Sequence, residues 1–208
     1  MIKRLFTVLA LVLALVFICN PAAMADTVID FESGGVAGGT ITLYADGNLS
    51  GVDVKIGGVK IWGAPINSPE DPILLYDVVG GLLDFNTGGM AGDRSIVLTG
   101  ANPDLEIADQ ILLSGTIAGF DHARVSEGLV SAFGLDSKSR ELLDAIGLDP
   151  LTPFNFFGFS VVAEGISLGK PGTAISTDIR NTAVPEPSTL ILLGCGLAGL
   201  GLIGLKRK

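Results

Sequence analysis

The segment Asp46-Gly47-Asn48-Leu49-Ser50-Gly51-Val52-Asp53 sets oxygen-bearing side chains at alternate positions around a glycine. That is the opening half of a calcium loop, because Ca²⁺ takes six to eight hard oxygens and alternate spacing turns them toward one centre. Asp46, Asn48, Ser50 and Asp53 are the candidate ligands. An EF-hand also needs a Glu at its twelfth position, where this chain has Gly57, and helical flanks, where it reads as strands. A plain hairpin loop uses the same Asp, Gly and Asn and is the stronger reading. A structural calcium is the competing one, and no other cofactor is expected. Asp121-His122, followed by Ser126 and Glu127, holds the histidine of the chain. A Ser-His-Asp triad is assembled from separated segments with the nucleophile on a constrained turn such as G-x-S-x-G, which is absent, so this stretch reads as a turn. With one His and no cysteine between Asp26 and Ala183, a His-based zinc site is out of reach. Carboxylates are plentiful enough for a glycosidase pair, but nothing singles one pair out. Trp62, Tyr44 and Tyr76 fit a core better than a sugar-stacking face. Gly34-Gly35 and Gly38-Gly39 lack the basic residues and strand-to-helix context of a phosphate loop and read as turns.

The elements that would carry these residues are mostly strands. Alternation and β-branched residues mark 28–31, 40–44, 52–56, 59–62, 73–79, 82–85, 95–98, 111–117, 123–125, 129–133, 156–163 and 175–177. Asp46-Gly47, Gly57-Gly58, Gly80-Gly81 and Gly88-Gly89 supply turn signals between them. Many short strands at this spacing predict a mainly β body, an antiparallel β-sandwich of jelly-roll type. One short helix is expected over 137–146, capped by Asp136, with Leu142, Leu143 and Ile146 on one face, ended by Gly147 and Pro150. It would plug one end of the sandwich. Asn67 to Asp71 reads as a Pro-bearing loop and Ala174 to Pro187 as a polar exit tether.

The ends differ sharply from the body. Lys3 and Arg4 precede an apolar run from Leu5 to Ile18, then Ala23-Met24-Ala25. This is the build of a secretory signal peptide, a signal helix cut by signal peptidase after Ala25 and read through the small residues Ala23 and Ala25. At the other end Thr189 to Leu205 is apolar and uncharged, and Lys206, Arg207 and Lys208 follow at once. A transmembrane helix over 189–205 with those three residues as a cytoplasmic stop is expected. The domains are therefore 1–25, signal peptide; 26–183, extracytoplasmic β domain; and 184–208, tail. All 22 acidic residues lie between Asp26 and Glu186, against 8 of the 13 basic ones, so the exported part carries about 14 net negative charges. Such a surface repels nucleic acid and anionic lipid and is compatible with divalent cations or neutral sugars.

Val184-Pro185-Glu186-Pro187-Ser188 is an extended peptide, because two prolines around one residue fit neither a helix interior nor a central strand. Pro185, Glu186 and Pro187, then a Gly- and Leu-rich span, then Lys-Arg-Lys resemble the PEP-CTERM sorting signal. The resemblance covers about the last 25 residues. It implies a Gram-negative host, handling by a membrane-embedded cysteine transpeptidase, the exosortase, and an association with exopolysaccharide and biofilm. The stretch 112–162, with Leu113-Ser114-Gly115-Thr116, Ile146-Gly147-Leu148 and Phe154-Asn155-Phe156-Phe157-Gly158-Phe159, is similar to bodies common among such proteins. That similarity implies a β-rich extracellular domain without an assigned activity. The expectation is an exported, exosortase-sorted protein of the envelope or extracellular matrix, non-catalytic and associated with exopolysaccharide. It would sit in the inner membrane by its C-terminal helix before reaching the cell surface or matrix. A calcium-assisted carbohydrate-binding module is the first alternative, and a glycan hydrolase on the same scaffold the second.

Overall fold

The computed structural model describes residues 27–121, 124 and 128–184. The described residues fold into β1 (Val28–Glu32), β2 (Thr40–Leu43), β3 (Leu49–Trp62), β4 (Ile73–Asn86), β5 (Ser95–Asn102), β6 (Ile107–Asp121) and β7 (Leu129–Lys138). A short helix α1 (Arg140–Ala145) follows, then β8 (Phe157–Glu164) and β9 (Gly172–Thr182). From β3 to β9 each strand pairs antiparallel with the next. β1 then bridges β9 back to β3, so eight strands close on themselves. β2 is the extra strand. It lies between the same two neighbours as β1, pairing β3 at Thr40–Leu43 and β9 at Thr40 and Ile41. β1 and β2 thus act as one stave, interrupted by a Gly-rich arch at 33–39.

The expected jelly-roll sandwich is corrected by this closure. The error lies in two pairs of glycines. Gly57-Gly58 and Gly80-Gly81 are not turns but lie inside β3 and β4, each 14 residues long, at breaks of register. A Cβ at Gly57 would sit 2.5 Å from the Ser33 carbonyl, and one at Gly81 would overlap the Ile56 carbonyl. Glycine there lets a strand coil past its neighbour, which is what bends a sheet into a barrel. Reading the same glycines as turns halves two long strands and yields the short strands of a sandwich. The exit tether is corrected as well: 172–182 is β9, a full stave of the barrel. The stretch 123–125 falls largely outside the described residues. So do the signal helix and the transmembrane helix; among the described residues, no helix is long and apolar enough to cross a membrane.

Alternate residues face inward. Ile29 and Phe31 of β1, Val59 and Ile61 of β3, Leu83 and Phe85 of β4, and Phe157, Phe159 and Val161 of β8 are all buried. An eight-stranded barrel is just wide enough for side chains to fill. Here the Phe85 and Phe159 rings meet edge to face, 4.8 Å between centroids. Gly51 leaves the room that the Phe85 ring occupies. α1 closes one end with buried Leu142, Leu143 and Ile146. It starts later than its sequence pattern suggests: β7 runs on to Lys138, and Ser139, not Asp136, is the N-cap, its Oγ accepting from the Leu142 N–H at 3.2 Å.

Candidate functional site

Asp136 is free of the helix because the alternation of β7 turns it inward, on the face of Val130 and Ala132. Lys138, two residues on, points the same way, and so does Asn181 of β9, on the face of Ile179. The three close a ring. Lys138 Nζ donates to Asp136 Oδ2 and, at 2.8 Å, to Asn181 Oδ1. Asn181 Nδ2 donates to Asp136 Oδ1 at 2.7 Å and to the Asn155 carbonyl at 2.9 Å. The ammonium also lies 4.5 Å from the centre of the Phe154 ring, a cation–π contact. Only 1% of the Lys138 side chain and none of Asp136 is exposed. Burial pulls the Lys138 ammonium below the usual lysine range, against the opposing pull of Asp136. Every polar atom of this set has a partner, so it reads as a structural lock within the barrel.

A second polar set occupies the outer face where β1 closes the barrel. Asp30 stands opposite Lys60 of β3 and Arg180 of β9, and Glu32 stands opposite Asp178. Lys60 Nζ donates to Glu32 Oε2 at 2.5 Å, and the Arg180 guanidinium lies 4.9 Å from the centre of the Trp62 ring. Asp30 carries the unusual chemistry. Burial, then hydrogen bonding to the Asp178 carboxyl and repulsion from Asp178 and Glu32, push its carboxyl from 3.8 up to about 7, with Arg180 opposing. Asp30 Oδ1 is buried and has no donor among the described residues. An open groove of about 430 Å³ adjoins the pair, with Glu32, Asp178, Ser160, Ser176 and the Gly34-Gly35 arch among its walls. Glycosidase carboxyls stand roughly 5–10 Å apart to leave room for a sugar and its nucleophile. Asp178 stands close enough to Asp30 to raise its carboxyl by direct interaction, which leaves no such gap between them.

The predicted calcium residues are brought only partly together. Asp46 and Asn48 share the β2–β3 turn. Asp46 Oδ1 accepts from the Asn48 N–H at 3.0 Å, and Asp46 Oδ2 accepts from Asn48 Nδ2 at 2.9 Å and from the Met90 N–H at 2.7 Å. The Met90 donor, followed by Asn48, holds the Asp46 carboxyl below the usual carboxylate range. Ser50 is buried beside the Tyr44 hydroxyl, 3.3 Å away. Asp53 lies at a bulge of β3 with φ 55°, its N–H donating to Asp84 Oδ1 at 2.8 Å. The turn thus latches the 88–91 segment. Among the described residues no group of three or more His, Cys, Asp or Glu is placed to hold a metal. His122, Ser126 and Glu127 lie outside the described residues. So do the cleavage residues Ala23 and Ala25, the motif Pro185, Glu186 and Pro187, and the stop Lys206, Arg207 and Lys208.

At its C-terminal end β9 runs into Ala183 and Val184, which the barrel still holds. The Ala183 N–H donates to the Thr27 carbonyl and the Val184 N–H to the Pro153 carbonyl, both at 2.8 Å. Residues 183–208 match the PEP-CTERM protein-sorting motif. The chain carries an exosortase sorting signal. The motif marks an exported protein with a C-terminal, membrane-anchoring signal that the exosortase handles. No curated protein and no solved structure matches the chain. Sequence reasoning found this signal because it is local. It missed both polar sets because their members lie on strands far apart in the chain. Only the period-two placement of Asp136 with Lys138, and of Asp30 with Glu32, hinted that each pair shares a face.

Proposed function

We propose that this protein is a non-catalytic, exosortase-sorted barrel delivered to the cell surface or the extracellular matrix, where it works among exopolysaccharide. The observation that carries the reading is a filled barrel joined without a spacer to a sorting motif. With its interior occupied by Phe31, Phe85, Phe157 and their neighbours, the barrel has its outer surface to work with. That surface is acidic, which favours neutral glycans over anionic partners. Mass spectrometry of the secreted and membrane fractions of a host that carries the exosortase tests it. The expected product starts at Asp26 and lacks the apolar span. Persistence of the intact chain would overturn the sorting reading and leave a membrane-anchored protein.

A second reading is a carbohydrate-binding module. The groove lined by Glu32 and Asp178 favours it, since their carboxylates and the hydroxyls of Ser160 and Ser176 are the groups that bond sugar hydroxyls. Calcium assistance through Asp46 would require the carboxylate to give up its N–H donors. Calorimetry with host exopolysaccharide, with and without chelator, separates the two readings. Heat lost in Asp178→Ala supports the module, and absence of heat rules it out.

A further inference from the structure

We infer that the folded barrel restrains the handling of its own sorting signal: the exosortase gains the motif only after the last two residues peel away from the barrel. The inference rests on the sorting reading above. Ala183 and Val184 open the matched motif and are also the end of the barrel. Both main-chain edges of this stretch are taken. Thr27 lies along one side, with the Ala183 N–H bonded to its carbonyl at 2.8 Å. Residues 153–155 lie along the other, through the Phe154–Ala183 bridge, the 2.8 Å bond from Val184 to Pro153 and the 2.9 Å bond from Asn155 to Thr182. Ala183 is 6% exposed. Pro185 is the next residue in the chain, so no free spacer precedes the motif.

The other side of the motif is also short. Four residues, 185–188, separate Val184 from the apolar span, and fully extended they reach at most about 14 Å. An enzyme embedded in the membrane must take hold of an extended peptide within that reach. A cleft that grips the chain on both flanks of Pro185 needs residues 183 and 184 as well, and the N–H groups of both are already bonded to the barrel. Peeling them breaks the bonds to Thr27 and Pro153 and exposes the Ala183 side chain. Two backbone hydrogen bonds of ordinary net strength set the peeled fraction at roughly one part in ten to one in a hundred. Processing then slows by the same factor relative to a chain with a free spacer.

Insertion of Gly-Ser-Gly-Ser between Val184 and Pro185 of the full chain is the direct test. The insertion lies beyond the last bonded residue, so the barrel is untouched, which thermal unfolding of both chains verifies. Pulse-chase processing is followed in cells that carry the exosortase. The inserted chain is expected to be processed about tenfold or more faster than the natural one. Equal rates overturn the restraint while leaving the sorting reading intact. Slower processing of the inserted chain also overturns it and shows instead that the barrel end is a surface the enzyme docks on. If neither chain is processed, the sorting reading falls and the restraint with it. A second variant, Ala183→Pro, removes the N–H that Thr27 accepts; on this inference it too speeds processing, and unchanged processing counts against it.

Discussion

Lys138 and Lys60 each meet a carboxylate, one inside the barrel and one outside. The inner pair with Asp136 is 1% and 0% exposed, and Asn181, the Asn155 carbonyl and the Phe154 ring complete its contacts. The outer pair with Glu32 is 39% and 26% exposed, and the neighbouring Asp30 keeps an oxygen without a donor. The same residue types therefore do opposite work. Inside, charge is tolerated because every polar atom is paired, and removal of one member strands the others in a dry place. Outside, water and counter-charges soften each interaction, and a pair of acids can be left in tension across the seam.

The largest test of this contrast is Asp136→Ala. It leaves a buried ammonium without its carboxylate and should cost about 3–5 kcal/mol in urea unfolding. Glu32→Ala, which breaks the part-exposed outer pair, should change stability by no more than about 1 kcal/mol. Equal effects would erase the distinction. Replacing the inner pair together, Asp136→Leu with Lys138→Met, sharpens it further. The double variant should recover part of that loss but stay about 1–3 kcal/mol below the natural protein, because the apolar pair needs no desolvation while the buried Asn181 Oδ1 is left without its Lys138 donor. A third test concerns pH. Asp30 has its carboxyl raised from 3.8 to about 7, so between those values the folded state holds a proton that the unfolded chain has lost. Its stabilising contribution is complete below 3.8 and disappears as pH rises through 7. Thermal unfolding followed from pH 4 to 8 should show this decline, and Asp30→Asn should flatten it. The smallest effect belongs to Lys60→Ala, whose loss should leave the urea midpoint unchanged within error.

Strand character, the burial of Leu142, Leu143 and Ile146, and the sorting signal were legible in the sequence because each is a local pattern. Architecture was not. Gly57-Gly58 and Gly80-Gly81 have the composition of turns, and only the partner strand reveals that they are coils within β3 and β4. Asp136 has the composition of a helix cap, and only closure of the barrel reveals Lys138 and Asn181 beside it. Polar residues at 174–182 read as a tether, although Thr177, Ile179 and Asn181 alternate inward as a stave must. Asp30 and Asp178 sit at opposite ends of the body, and no spacing rule connects them.

The pairing of β1 with β9 also sets a timetable. β1 leaves the ribosome before the other staves and β9 after them, yet each needs the other to finish the wall. Until Val28 to Glu32 and Asp178 to Thr182 are on the same side of the membrane, the sheet has two unpaired edges and no shut interior. Pairings between distant parts of a chain form slowly. An exported polypeptide of this design stays a thread while it crosses and becomes a barrel only when its last stave arrives. Unpaired edges invite aggregation in the meantime, which makes the crossing interval the time when the chain most needs a chaperone.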